Sequence, residues 1–305
     1  MHSKKTSSKK VRDIPGFYEV GRILHMEHFN HQVQDQNTAT IFFINGLGLT
    51  RDPYQRTDET NIGVNIGFQQ LHLPLRGPTH HFDGVIGLVV PDLPVIEARL
   101  KRLEDAKKFS GTPYRYNAVN NKTAYITSPY GTDFRLHQMG SIPFGKPLGI
   151  PYIEFMIPPG MAKKIVSFYQ KIMDTPARVR KTKDAVMTEV VMGPYQHIRF
   201  IEKELESYEL FSFHIAIFVS HYDTIKQSLV DLGVDVYGDR THTCFWNPII
   251  DPETGDHLLN LQHEMRSVQH PDFMHPYTNR WPMDHNPFMH QTEVGEYLLE
   301  KLRRT

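Results

Sequence analysis

The stretch TATIFFINGLG, residues 38–48, has the spacing of a short apolar helix that ends in glycines. Gly46 and Gly48 are typical of a helix end, because glycine adopts the left-handed backbone conformation there at little cost. The preceding stretch EHFNHQVQD, residues 27–35, alternates in polarity like a strand. Short strand-like runs follow in NIGVNIGF and QQLHLPL, residues 61–75. The sequence therefore predicts a strand, a helix and three further strands.

This order of elements returns three more times along the chain. Each later unit opens with a strand-like run and a helical pattern: FDGVIGLVVPD with LPVIEARLKRLED, YIEFMIP with MAKKIVSFYQKIMD, and FSFHIAIFVS with TIKQSLVDLGV. Self-similarity of this kind is the signature of a repeated supersecondary unit. The chain is therefore predicted to have an α+β fold of four βαβββ units.

The composition of the connecting segments predicts the domain boundaries. SIPFGKPLGIP, residues 141–151, is a Pro/Gly linker and separates two domains of two units each, residues 21–142 and 150–266. Residues 1–20 are predicted to be a disordered tail, since MHSKKTSSKK lacks the apolar core of a secretory signal. Residues 267–305 are predicted to wrap over the second domain through Phe273, Trp281 and Phe288, and to end in a helix over residues 293–304.

Overall composition narrows the classes of function. The chain has 305 residues with 34 basic and 34 acidic side chains, and this balance offers no electrostatic basis for non-specific nucleic-acid binding. Its single cysteine excludes an internal disulfide framework, which favours a reducing compartment. No apolar run approaches the roughly 20 residues that span a bilayer. We therefore predict a cytoplasmic protein without membrane or nucleic-acid partners.

Two pairs of motifs resemble those of one superfamily. FFINGLG and FYQKIMD resemble the Phe-Tyr-x-x-x-Leu-Gly helix end of the vicinal oxygen chelate superfamily. SPYGTDFRLHQ and DPETGDHLLNLQ are similar to its Asp-Pro-x-Gly-x-x-x-Glu-Leu turn and last strand. This superfamily includes glyoxalase I, bleomycin-resistance proteins and extradiol dioxygenases. The resemblance covers about residues 26–265 and implies two open-barrel, glyoxalase-like domains, each formed by a pair of units around a cleft.

The resemblance also implies where a metal would bind, because the ligands of the superfamily come from the first and last strands of the units. The first-strand positions fall on His28, Val85, Glu154 and His214. The last-strand positions fall on His72, Arg135, Arg199 and Asn260, so that the expected Glu-Leu pair is absent there. Strand parity directs alternate side chains to one face, which places His28 in the cleft and His31 on the opposite face.

Four of these residues are predicted metal ligands: His28, His72, Glu154 and His214. Glu154 and His214 are expected to converge across one cleft, since an inward carboxylate costs several kcal/mol unless it is paired or bound. Catalytic metals usually take three protein ligands, and the choice of a third stays open. The candidates are Gln70, His81 and His137 in the first domain and Asn260, Gln262 and Glu264 in the second. Such mixed ligands suit iron, manganese or zinc.

Two kinds of function are compatible with these positions. The first is a divalent-metal-dependent dioxygenase, lyase or isomerase that acts on a small oxygen-chelating substrate, with Arg135, Arg199 and Asn260 in contact with the substrate. Guanidinium groups suit carboxylates and phosphates in such a role. The alternative is a metal-free protein that sequesters or senses a small aromatic or anionic ligand. A homodimer is predicted for either function.

Overall fold

The computed structural model describes residues 19–53, 60–75, 83–183, 185–205, 213–240 and 242–279. The predicted N-terminal tail lies almost wholly outside these residues, as do His81, Trp281, Phe288 and the predicted terminal helix. Phe273 is described, and its ring packs edge-on against Phe218 with the centroids 5.2 Å apart. No helix in this part of the chain has the length and hydropathy that a membrane span requires.

Four units with the order βαβββ follow one another, as predicted. The first has β1 (Ile23–Asn30), α1 (Gln36–Ala39) with a π-helical continuation (Thr40–Gly46), β2 (Thr50–Arg51), β3 (Asn61–Ile66) and β4 (Gln69–Pro74). The second has β5 (Gly84–Val90), α2 (Leu93–Asp105), β6 (Arg115–Asn120), β7 (Thr123–Thr127) and β8 (Asp133–Gln138). The third has β9 (Tyr152–Ile157), α3 (Ala162–Lys171), β10 (Ala177–Lys181), β11 (Val186–Gly193) and β12 (Gln196–Glu202). The fourth has β13 (His214–Val219), α4 (Tyr222–Asp231), β14 (Tyr237–Arg240), β15 (Thr243–Ile250) and β16 (His257–Ser267).

The strands form two open sheets of eight strands each. The first sheet has the order β14-β15-β16-β13-β1-β4-β3-β2, and the second has the order β10-β11-β12-β9-β5-β8-β7-β6. Units one and four therefore share the first sheet, and units two and three share the second. The α+β architecture of four units in two paired sheets is confirmed.

The predicted pairing of consecutive units, within residues 21–142 and within residues 150–266, is wrong. The linker at residues 143–149 joins β8 to β9 inside the second sheet, where β9 lies antiparallel to β5 with Val85 opposite Glu154. This contact pairs β9 with the free edge of β5 in unit two. The corresponding edge of β1 in unit one pairs with β13 in antiparallel orientation, with Asn30 opposite His214.

The two sheets share one apolar core. Phe29 of the first sheet packs edge-on against Phe155 of the second, with the centroids 6.2 Å apart, and both rings are fully buried. Two buried glutamines join the sheets by hydrogen bonds. Gln196 accepts from the backbone N–H of Met26 at 3.0 Å, and Gln69 accepts from the backbone N–H of Ile150 at 2.6 Å. The sheets are therefore held in one orientation by polar as well as apolar contacts.

The hairpin turn between β3 and β4 contains a glycine, Gly67, whose substitution is expected to destabilise the fold. Gly67 has φ of +67°, and a Cβ atom there would lie 2.3 Å from the carbonyl oxygen of Leu148. We expect Gly67→Ala to lower the free energy of unfolding by about 2–4 kcal/mol, because backbone strain and a clash with backbone act together. Gly111→Ala is the matched control, since its φ is +76° with no atom near the added Cβ. Urea unfolding measures both variants, and equal losses would contradict the close approach at Leu148.

Candidate metal centre

Three side chains from the first sheet bring their ligand atoms together. His28 Nε2 lies 3.1 Å from His214 Nε2 and 3.3 Å from Glu264 Oε2. His214 Nε2 lies 3.4 Å from the same carboxylate oxygen. These residues stand on the adjacent central strands β1, β13 and β16. Among the described residues, no other group of three His, Cys, Asp or Glu side chains converges in this way.

A bulge in β1 aims His28 into this cluster. Across the β1–β13 pairing, Met26 lies opposite Ile217 and His28 lies opposite Ala216. Glu27 is therefore the extra residue of the bulge and has no residue opposite it in β13. A bulge of this kind lets a strand redirect its side chains. Glu27 is buried, and its Oε2 accepts a hydrogen bond from His28 Nδ1 at 2.5 Å. This bond fixes the ring so that Nε2 faces His214 and Glu264.

Arg266 fixes the carboxylate in the same manner. Its Nε donates to Glu264 Oε1 at 2.6 Å, which leaves Oε2 for the two histidines. Its Nη1 donates to Glu27 at 3.1 Å and to Asp272 at 3.2 Å. Glu27 also accepts a hydrogen bond from the hydroxyl of Tyr277. The residues that support the ligands thus form one buried network, as is usual around metal-binding histidines and carboxylates.

His72 lies beside the cluster but its bonded nitrogen points elsewhere. Its ring stacks on that of His28, with the centroids 3.8 Å apart and an angle of 23° between planes. Its Nε2 donates to Gln70 Oε1 at 2.9 Å. Gln70 must accept there, because its amide nitrogen donates to Asp52 and Asn65. His72 therefore packs against the ligand set and supports His28 in this arrangement.

Burial and charge set the protonation of the cluster. Burial opposes ionisation of Glu264, but the hydrogen bonds from His214 and His28 and the charges of His28 and Arg266 together outweigh it and hold its pKa well below the usual range. Burial also acts to lower the pKa of His28, yet the charges and hydrogen bonds of Glu27 and Glu264 together outweigh it and raise that pKa. Burial lowers the pKa of His214. A divalent cation bound by these atoms would compete with protons for them.

The arrangement fits a divalent ion. Atoms bound to one ion at about 2.0–2.2 Å, at adjacent corners of a tetrahedron or octahedron, lie roughly 2.8–3.6 Å apart. All three separations between His28, His214 and Glu264 fall in this range. Three protein ligands leave coordination positions for a substrate. The side chain of His214 is 16% exposed while that of His28 is 1% exposed, so the approach lies on the His214 side.

The structure brings together three of the four predicted ligands. His28 and His214 lie in the cluster and His72 lies against it, whereas Glu154 stands in the second sheet, where it accepts from Arg199 at 3.0 Å. The expected convergence of Glu154 with His214 is wrong, because unit three belongs to the other sheet. The third member of the cluster is Glu264, which the sequence offered as one of several candidates. It is followed by Met265, so that a Glu-Met pair stands in β16 and the Glu-Leu pair of the superfamily does not.

The predicted substrate-binding residues lie apart from the cluster. Arg135 and Arg199 stand in the second sheet beside Glu154. Asn260 stands on β16, four residues before Glu264, and its side chain accepts from His257 at 2.8 Å. His31, which directly follows β1, is buried and bonded to Thr132 Oγ1 at 2.8 Å. Their roles toward a substrate stay predictions.

Comparison with solved structures finds the same fold in two proteins of known structure. Glyoxalase I from Zea mays is similar over 82% of this chain and 93% of its own, with 14% identity and a TM-score of 0.55. A putative dioxygenase from Bacillus subtilis subsp. subtilis str. 168 is similar over 92% of this chain and 97% of its own, with 15% identity and a TM-score of 0.54. The resemblance to this superfamily is confirmed at the level of the fold. By sequence, no family model and no curated protein matches the chain.

Proposed function

We propose that this protein is a divalent-metal-dependent enzyme that acts on a small substrate through two adjacent oxygen atoms. The observation that carries this proposal is the convergence of His28, His214 and Glu264, whose ligand atoms lie 3.1–3.4 Å from one another. The similarity in fold to glyoxalase I and to a putative dioxygenase agrees with it. Fold alone does not fix an activity, so the argument rests on the cluster.

Each residue of the centre has a distinct role in this proposal. His28, His214 and Glu264 hold the ion, while Glu27 orients His28 and Arg266 orients Glu264. A divalent ion held there supplies Lewis-acid polarisation of bound oxygens and, in the case of iron, reactivity toward dioxygen. Because these supporting residues are buried, the ligands are positioned before the substrate arrives, which lowers the cost of reorganisation.

The ligand set favours a dioxygenase over a lyase or an isomerase. Two histidines and one carboxylate on one side of an ion, with open positions opposite, are typical of non-haem iron(II) oxygenases. His72 is the neighbouring residue that could act as a fourth ligand and fill one of these positions. Its Nε2 is instead bonded to Gln70 Oε1 at 2.9 Å. Manganese and zinc fit the same donors and support the lyase or isomerase alternative.

The test compares metal-depleted protein with protein reloaded with Fe(II), Mn(II) or Zn(II). We expect Fe(II) to restore dioxygen uptake with members of a panel of ortho-diphenols, and Glu264→Ala to abolish that uptake. Adducts of 2-oxoaldehydes with thiols form the second panel and detect an isomerase. Metal-loaded protein that turns over neither panel would contradict the enzyme proposal as it stands.

The remaining predictions concern location and assembly. A cytoplasmic protein with a small-molecule substrate, without nucleic-acid partners and as a homodimer, is the proposal that accompanies this activity. The metal-free alternative, a protein that binds a small aromatic or anionic ligand, is supported by the arginines of the second sheet rather than by the histidine cluster.

A further inference from the structure

The second sheet has counterparts for all four positions around the metal centre. Pairing of the central strands sets Val85 opposite Glu154, just as His28 lies opposite Ala216. The residue two before Ala216 is His214, and the residue two before Glu154 is Tyr152. Val85 therefore corresponds to His28, and Tyr152 corresponds to His214.

The last strands extend this correspondence. His72 lies two residues after Gln70, the partner of His28, and Arg135 lies two residues after Asp133, the partner of Val85. In the same way, Glu264 follows the partner of His214 by two residues, and Arg199 follows the partner of Tyr152 by two. The corresponding positions of the two sheets are, in order, His28 and Val85, His72 and Arg135, His214 and Tyr152, and Glu264 and Arg199. A pair of guanidinium groups thus occupies the positions that His72 and Glu264 occupy in the first sheet.

The two arginines converge on the same neighbours. The guanidinium carbon of Arg199 lies 4.1 Å from the ring centroid of Tyr152, and Arg135 Nη1 donates to the hydroxyl of Tyr152 at 3.2 Å. Both arginines share one oxygen of Glu154, at 3.0 Å from Arg199 and 3.5 Å from Arg135. One carboxylate thus lies between two cations, with its side chain 7% exposed and theirs 22% and 27% exposed.

Further arginines lie next to this pair, around a second glutamate. Glu189 is within 3.4 Å of three guanidinium groups, those of Arg178, Arg180 and Arg199. Among the described residues, these three arginines, Arg135, Glu189 and Glu154 belong to one continuous network of ion pairs. Several guanidinium groups in a partly buried cleft attract anions.

Hydrogen-bonding capacity and space are also left over. Within the described part of the chain, the buried atoms Arg135 Nε and His137 Nδ1 have no hydrogen-bond partner, and His137 as a whole is 7% exposed. Burial, together with the charges of Arg135 and Arg199, lowers the pKa of His137 to about 4, as expected for a buried histidine beside cations. A cavity of about 820 Å³ on the same sheet is lined by Val85 and Tyr125. The guanidinium carbon of Arg135 lies 5.2 Å from the ring centroid of Tyr125, one of the residues that line this cavity.

We propose that the cleft of the second sheet is a binding site for a small organic anion, held through a carboxylate or phosphate group by Arg135 and Arg199. The planar guanidinium fork matches both groups, and the tyrosine rings offer faces for the body of the ligand. Glu154 occupies the place of the anion in the absence of a ligand and competes with it. The site is separate from the metal centre and does not depend on the proposed enzyme activity.

The test is calorimetric titration of the full-length chain at constant ionic strength. Metal is first removed with the neutral chelator 1,10-phenanthroline, so that anions do not bind through an ion. Benzoate and inorganic phosphate are the two test anions, and they distinguish a carboxylate ligand from a phosphate ligand. Benzamide has the same ring as benzoate without the charge and is expected to give no binding.

Two substitutions are expected to weaken anion binding, and a third is expected to strengthen it. Arg135→Gln removes one cation and Arg199→Lys keeps the charge but loses the fork, and each is expected to weaken binding at least about tenfold. Glu154→Gln removes the competing carboxylate and is expected to strengthen binding severalfold, an effect that a purely structural ion pair does not produce. Arg102→Gln, at an exposed position of α2, changes the net charge equally and is expected to leave the affinity unchanged.

The outcomes separate the proposal from its alternatives. Unchanged affinity in both Arg135→Gln and Arg199→Lys would overturn it, as would the absence of binding for both anions in the unsubstituted chain and in Glu154→Gln. Thermal unfolding of each variant checks that the fold is retained. A weaker affinity in Glu154→Gln would show that the carboxylate organises the arginines rather than competing with the ligand, and would also overturn the proposal.

Discussion

Glu264→Ala is expected to reduce bound metal from close to one ion per chain to less than about a tenth of that value at micromolar metal. Substitution of residues that only support ligands typically costs about 10–100-fold in affinity. The loss of one of three ligands is therefore expected to exceed about 100-fold. Elemental mass spectrometry on untagged protein, purified without chelators, measures the metal.

Glu154→Ala is the matched control for this experiment. It removes a carboxylate of similar burial from the other sheet, where its side chain is 7% exposed and the side chain of Glu264 is 9% exposed. The structure predicts full metal content in this variant, although the sequence alone favoured Glu154 as a ligand. If both variants lost metal equally, the centre would not be the cluster of His28, His214 and Glu264.

Glu27→Ala is expected to lower both stability and metal affinity. Glu27 is 1% exposed and contacts His28, Arg266 and Tyr277. Removal of one partner from a buried ionic network costs about 3–5 kcal/mol. Arg266 keeps Glu264 and Asp272, so we expect a loss near the lower bound, about 3 kcal/mol. Metal affinity is expected to fall about 10–100-fold, because the orientation of His28 is no longer fixed.

Chemical denaturation and metal titration measure the two effects separately. Glu253→Ala is the control, since this glutamate pairs with Lys171 at the surface with its side chain 62% exposed. Exposed pairs contribute about 0–1 kcal/mol, and Glu253 lies outside the ligand network. An equal loss of stability in both variants would show that the network around Glu27 contributes no more than a surface ion pair.

The sequence predicted the units of this fold better than their pairing. Each βαβββ unit has local signals, such as the helix end at Gly46 and the alternation around His28, and these are read from neighbouring residues. Which unit completes which sheet depends on non-local edges of β1 and β5, and the four units present similar edges. The repeat is therefore visible in the sequence, whereas the partnership of unit one with unit four is not.

The ligand positions show the same limit at the scale of single residues. Strand parity predicted that His28, His72 and His214 share one face, and their side chains do lie together, because side chains alternate along a strand. In the last strand, the sequence placed the ligand position at Asn260, four residues before Glu264. This prediction missed Glu264 because β16 extends from His257 to Ser267, and its register is fixed by pairing with β13. The bulge at Glu27 gives no sequence signal of its own, so its support of His28 was not predicted.

The sheet order has a consequence for how the molecule is made. Units two and three are contiguous in the chain, and units one and four enclose them, so that one half of the protein is nested inside the other. The inner half consists of neighbouring segments and has low loop-closure cost, while the outer half must join strands about two hundred residues apart. During synthesis, His28 emerges early and Glu264 late. Arg135 and Arg199 are therefore synthesised before the cluster of His28, His214 and Glu264 is complete, and all three side chains can hold an ion only after the last strand has joined the sheet.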